Sequence, residues 1–175
     1  MKIFLRIDNY DIIKNINKYH NIIKGLYVVG DANIAKIYNF DLELIIDLKY
    51  KNIHTIMYKC QNIINISKNI VLGLPFLNKM LKFYNFLNRK GIIYFINNKF
   101  FIRNIFASKF YARYILLDYN KQYLRNICAS YINFPQINIE IIVICNSLKQ
   151  IVKSFNVGID NIIISEKLLR ELLEL

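Results

Sequence analysis

The sequence predicts an α/β protein: a three-layer, doubly wound, mostly parallel sheet flanked by helices. Three observations predict it. Short β-branched runs alternate with segments of helical period along most of the chain. The runs, such as Ile139-Glu140-Ile141-Ile142-Val143-Ile144 and Ile162-Ile163-Ile164, are almost continuously apolar. Strands that alternate apolar and polar residues have one wet face, whereas continuous runs belong to parallel strands covered on both faces. Finally, 175 residues with 55% hydrophobic composition make one domain the simplest organisation, long enough to bury roughly two thirds of its unfolded surface.

The elements follow in order. Lys2 to Ile7 reads as a short strand, and Ile12, Ile13, Ile16 and Tyr19 then recur at helical spacing until Gly25 ends the helix. Leu26 to Asp31 and Asp41 to Leu48 are the next strands, and residues 49–69 are read as Asn- and Lys-rich loops. Ile70 to Leu74 is a strand closed by Pro75, a residue at home in the first turn of a helix. Phe76, Leu77, Met80, Leu81, Tyr84 and Leu87 form the apolar stripe of that helix. Gly91 to Ile96 is a strand, Phe101 to Tyr114 a helix, and Tyr114 to Leu117 a strand. Beyond the irregular segment 118–136, Ile137 to Cys145 is a buried strand. Ser147 or Asn146 caps the helix that follows. Val157-Gly158 turns the chain into the strand Ile162 to Ile164, and an amphipathic helix runs from Glu166 to Leu175. No repeat or linker divides this single domain of residues 1–175.

Charge narrows the function. Twenty-four Lys+Arg against 12 Asp+Glu give a net charge of +12, which attracts polyanions. Nucleic acid is the first candidate partner and an anionic membrane surface the second. An AT-rich gene also inflates Ile, Asn, Lys and Tyr without regard to function. Cys60, Cys128 and Cys145 are too dispersed for a zinc site and suit a reducing compartment as small buried hydrophobes. No run approaches the ~18 apolar residues of a membrane-spanning helix, so no transmembrane segment is expected. The N-terminus has no signal- or transit-peptide pattern.

Catalytic and cofactor motifs are sparse. Val28-Val29-Gly30-Asp31-Ala32-Asn33 has one glycine and matches neither dinucleotide nor phosphate-loop patterns. His20 and His54 have no nucleophile or acid nearby in sequence and read as surface residues. Asp41, Glu43 and Asp47 cluster without the glycines and tight spacing of an oxygen-ligand site, and read as a solvated strand face. The expectation is no catalysis, no metal, no cofactor and no small-molecule substrate. The positive signal is basic and aromatic interleaving. Arg103, Lys109 and Arg113 recur along one segment, and Lys121, Tyr123 and Arg125 follow. With Lys82, Arg89 and Lys90 they are the candidate RNA-binding residues, since Arg forks onto phosphate and Tyr stacks on unpaired bases. A solvated charged helix face with buried tyrosines explains the same pattern equally well.

Lys79-Met80-Leu81-Lys82-Phe83-Tyr84-Asn85-Phe86-Leu87, then Arg89-Lys90-Gly91-Ile92-Ile93-Tyr94-Phe95-Ile96, then Asn138 to Ile144, Ser147 to Phe155 and Val157 to Ile164 follow one another in a familiar order. This order resembles the small-subunit ribosomal protein S-two family in its bacterial and organellar form, with residues 70–165 the resembling core and 1–69 a divergent N-terminal part. The chain departs from the family at 118–126, where a glycine-bearing loop would stand. The resemblance implies a structural constituent of the small subunit of an organellar ribosome, bound to ribosomal RNA and to other ribosomal proteins. The AT-rich composition adds that it would be mitochondrial and organelle-encoded. Two rival readings remain: an accessory non-catalytic subunit of an organellar respiratory membrane complex, and a Rossmann-like nucleotide-binding enzyme.

Overall fold

The computed structural model describes residues 1–8, 10–29, 42–47, 69–73, 91–95, 112–120, 124 and 140–175. Eight strands run through them: β1 Lys2–Ile7, β2 Gly25–Val29, β3 Glu43–Asp47, β4 Asn69–Gly73, β5 Gly91–Phe95, β6 Ala112–Asp118, β7 Glu140–Ile144 and β8 Asn161–Ser165. Every neighbouring pair is parallel. The described helices are α1 Tyr10–Tyr19, α2 Leu148–Asn156 and α3 Glu166–Leu173.

The α/β class and the parallel sheet are as the sequence predicts. The layering is not. β1 pairs with β8 from Lys2↔Asn161 to Arg6↔Ser165, which closes the sheet into a barrel in strand order β1 to β8. The three-layer doubly wound arrangement is therefore corrected to a barrel. Closure explains the solid apolar runs differently: among the described residues, one face of a strand turns into the barrel and the other outward, and both are buried. Phe4, Tyr27, Ile45, Leu116, Ile142, Ile144 and Ile163 form the interior cluster. Their strand neighbours Leu5, Leu26, Ile46, Leu117, Val143 and Ile162 are equally buried and, by the two-residue period, face outward.

Local chemistry sets the described helices. In α2, Ser147 is the N-cap and its Oγ accepts from the Gln150 backbone N–H at 3.4 Å. The Gln150 side chain reaches back to accept from the Asn146 N–H at 2.7 Å, close to the reciprocal pattern of a capping box. Gly158, at φ 83°, makes the turn after α2 in a conformation that favours glycine. Ser165 ends β8 and caps α3, accepting from Leu168 N–H at 3.3 Å.

α3 is fastened to α1 across the closure. Glu166 Oε1 accepts from Arg170 Nη2 at 2.6 Å, from Tyr19 Oη at 3.2 Å and from Asn15 Nδ2 at 3.4 Å. Arg170 Nε donates to Tyr19 Oη at 3.1 Å. Tyr19 is buried, so Tyr19→Phe removes a buried donor and acceptor together. It is expected to cost about 1 kcal/mol in urea unfolding, with a barrel of unchanged circular dichroism.

Two local expectations change. Gly25 does not end the first helix but opens β2, and what requires glycine there is the close approach of β3. Arg113 was expected on a helix, yet Ala112–Asp118 is a strand, because the β-branched and aromatic run of β6 begins earlier than its helical-period neighbours suggest.

Candidate functional site at the C-terminal mouth of the barrel

Parallel closure gathers all eight strand C-termini at one end. The inward positions there are set by the interior cluster and the two-residue period. They bring together Arg6 and Asp8 from β1 and its continuation, Tyr27 and Val29 from β2, Asp47 from β3, Asp118 from β6 and Ser165 from β8. The register agrees: Arg6 stands level with both Tyr27 and Ser165, and Val29 with Asp47.

The centre of the group is a buried pair. Tyr27 is 1% exposed and Asp47 6% exposed, and the Tyr27 hydroxyl donates to Asp47 Oδ2. Burial is the main force holding the phenol neutral. The Asp47 charge, the hydrogen bond to it and the Asp118 charge act in the same direction, and Arg6 opposes them. Together they push the Tyr27 pKa far above its ordinary 10.0. Arg6, Asp47 and Asp118 thus all act on one phenol. With its proton committed to Asp47, the Tyr27 oxygen keeps acceptor capacity.

Arg6, Asp8 and Asp118 are the charges that reach solvent. Arg6 Nε lies 2.9 Å from Asp8 Oδ1, with side chains 30% and 47% exposed. An ion pair this wet contributes little to stability, but it fixes the guanidinium by one edge. Among the described residues nothing takes the terminal nitrogens, which suit a forked contact to a carboxylate or phosphate. Asp118, at the end of β6, is exposed.

At the opposite end of the barrel, β1, β7 and β8 are joined by polar contacts. Lys2 Nζ contacts Glu140 Oε2 at 3.2 Å, and Asn161 Nδ2 donates to Glu140 Oε2 and to the Ile141 carbonyl, both at 3.3 Å. This end reads as structural, whereas in barrels of parallel strands the chemistry sits at the C-terminal ends.

Of the carboxylates read as a solvated strand face, Asp47 is instead buried against Tyr27; Glu43 is half-buried and Asp41 lies outside the described residues. The reason is closure, which turns that face inward. His20 is exposed as expected, and Cys145 is buried. Burial pushes the Cys145 thiol up, against a smaller opposing effect of Ser154, so it behaves as a packing residue. His54, Cys60 and Cys128 lie outside the described residues. So do the RNA-binding candidates Lys82, Arg89, Lys90, Arg103, Lys109, Lys121, Tyr123 and Arg125; of Arg113 only the backbone is described. Among the described residues no acidic, histidine or cysteine group is arranged to hold a metal, and no helix is long and apolar enough to cross a membrane.

No protein-family model and no curated protein matches this sequence. Solved structures do: a crystal structure of an HpcH/Hpal aldolase/citrate lyase family protein from Burkholderia cenocepacia J2315 superposes with a TM-score of 0.70 at 6% identity, covering 99% of this chain and 92% of that one. At that identity the likeness is one of fold. It nevertheless corrects the expected role as a constituent of an organellar ribosome, since nearly the whole chain superposes on the α/β fold of that protein. The Rossmann-like alternative falls with the open sheet, since a closed barrel has no crevice where strand order reverses.

Proposed function

We propose that this chain is a barrel enzyme acting on a small polar molecule at the C-terminal mouth. The observation that carries the reading is the convergence of Arg6, Asp47 and Asp118 around the buried Tyr27 phenol. A buried titratable group with perturbed ionisation beside charged side chains, at the C-terminal end of a parallel barrel, is a common mark of a catalytic site. This departs from the expectation of a non-catalytic protein without a small-molecule substrate.

Each residue has a role. Arg6, steadied by Asp8, grips an anionic group of the ligand. Tyr27, held neutral and oriented by Asp47, accepts a hydrogen bond from a hydroxyl or amine. Asp118, exposed and within reach of solvent, is the general base that takes a proton from the bound molecule. The reaction class is proton transfer beside a carboxylate or phosphate group. The likeness to an aldolase/citrate lyase family protein supports the choice of an enzyme over a binding module, although fold alone does not fix a reaction.

The test is a survey of small carboxylates, phosphate esters and zwitterions by thermal unfolding. A true ligand at a hundred times its Kd stabilises the native state by about 2.7 kcal/mol. That stabilisation is expected in the wild type and lost in Arg6→Ala, at a half-buried charge, and in Asp118→Asn, at an exposed one, while the melting of the free protein changes little. Equal stabilisation of wild type and variants by every ligand found would refute the assignment.

A further inference from the structure

We propose that the end of the barrel opposite the mouth is a self-association surface on which a second copy of this chain docks. The described residues include six large apolar side chains that are conspicuously exposed: Met1, Ile22, Val152, Phe155, Leu173 and Leu175. All but Val152 stand at one end of the molecule. Met1 precedes β1, Ile22 lies between α1 and β2, Phe155 is in the last turn of α2, and Leu173 and Leu175 finish α3 and the tail behind it. In a barrel of parallel strands each of these places is at the N-terminal end of the strands. The elements beside four of them adjoin: β1 packs against both α1 and α3, and the Glu166–Tyr19–Arg170 bonds bind α3 to α1. The proposed surface joins Met1, Ile22, Leu173 and Leu175, with Phe155 at its α2 side. Apolar side chains grouped in this way mark an interaction surface, whereas scattered ones need no explanation.

The charges around the patch identify the occupant. On the α1 side stand the exposed Lys18 and Lys24, with His20 between them. On the α3 side stand the exposed Asp160 and Glu174. The remaining charges of α3 are matched locally, Lys167 to Glu171 at 3.9 Å and Arg170 to Glu166 at 2.6 Å. A patch that is basic on one flank and acidic on the other is complementary to itself. A two-fold axis running radially between α1 and α3 sets Lys18 and Lys24 of each copy over Glu174 and Asp160 of the other, with the apolar residues between them. This is the isologous arrangement of a symmetric dimer. A polyanion, by contrast, would meet the acidic flank, and a membrane surface would meet Glu174 beside the apolar residues.

Sedimentation equilibrium of the full chain tests the proposal without reference to any ligand of the mouth. The wild type is expected as a dimer whose dissociation constant rises with salt. Leu173→Glu, which places a charge in the centre of the interface, weakens the dimer at least about tenfold. Val152→Glu, outside the patch, leaves it unchanged. Lys18→Glu alone weakens association, and adding Glu174→Lys restores it. Circular dichroism and melting of dilute protein separate lost association from lost folding. A wild type that stays monomeric up to its solubility limit overturns the proposal. So does a dimer indifferent to Leu173→Glu, or a charge-reversed double variant no better than the single one.

Discussion

Gly25→Ala is expected to destabilise the barrel by about 3 kcal/mol, the upper part of the range for overpacked sites. A Cβ on Gly25 would overlap the Glu43 carbonyl oxygen and lie 2.9 Å from Phe4 Cδ1 and 3.0 Å from the Glu43 carbonyl carbon. Backbone cannot move aside as a flexible side chain can. The Glu43 carbonyl belongs to a strand paired with β2 from Gly25↔Glu43 onward, so relief requires β2 and β3 to separate where the ladder begins. Phe4 cannot yield either, being 2% exposed within the interior cluster. Urea unfolding reads the loss as a lower midpoint with an unchanged slope. Gly158 provides the contrast. A Cβ there meets nothing within 4 Å, but φ is +83°, so the cost of Gly158→Ala is backbone strain and Gly158→Asn should recover part of it. At Gly25 asparagine should be worse than alanine, because volume is what the position excludes.

The second large effect concerns the buried pair. Tyr27→Phe removes the donor to the Asp47 carboxylate while leaving that carboxylate almost wholly buried. Hydrogen bonds to charged groups contribute about 1.5–3 kcal/mol, and a loss in this range is expected at neutral pH. The pH dependence then identifies the phenol. Its folded pKa lies above the ordinary 10.0, so above about pH 10 the unfolded chain releases a proton that the native state retains. With fewer protons bound in the unfolded state, stability falls as pH rises. The stabilisation is fully present below pH 10 and declines by up to about 1.4 kcal/mol per further pH unit until the folded phenol itself ionises. Tyr27→Phe abolishes that contribution. The gap between wild type and variant is therefore widest near neutrality and narrows in alkali. A gap constant with pH would mean that the Tyr27 phenol titrates normally.

Much of the fold was legible in the residues. All eight strands correspond to apolar runs recognisable without a structure, and α1, α2 and α3 to helical-period segments, with the cap of α2 legible at Ser147. Closure was not legible, because an open doubly wound sheet and a closed barrel share the same alternation of strand and helix. What separates them is one long-range pairing, β1 with β8, between residues more than 150 positions apart. A hint lay in β8: Asn161-Ile162-Ile163-Ile164-Ser165 is buried on both faces, with none of the charges that protect the edge of an open sheet.

The candidate site was missed for the same reason. Arg6-Ile7-Asp8, Asp47, Asp118 and Ser165 each follow an apolar strand run with a polar or charged residue at its C-terminal end. Scattered along the chain they look like ordinary strand ends, and only closure makes them neighbours. Asp47 shows the cost most clearly, since its place beside Asp41 and Glu43 in sequence suggested a wet face while its place in space is beside Tyr27. The basic excess drew attention to lysines and arginines in the middle of the chain. Among the described residues of the mouth, by contrast, three carboxylates surround a single guanidinium.

The central claim is that this mouth receives the ligand, and Tyr27 is the natural reporter. The most direct measurement is NMR of protein carrying 13C-labelled tyrosine rings, with the Tyr27 signal assigned by its loss in Tyr27→Phe and followed during titration with the stabilising ligand. The claim predicts a saturable shift of the Tyr27 ring signal with the same Kd as the thermal stabilisation, and its absence in Arg6→Ala. A ligand that stabilises the protein and shifts other tyrosines while leaving Tyr27 unmoved would contradict it.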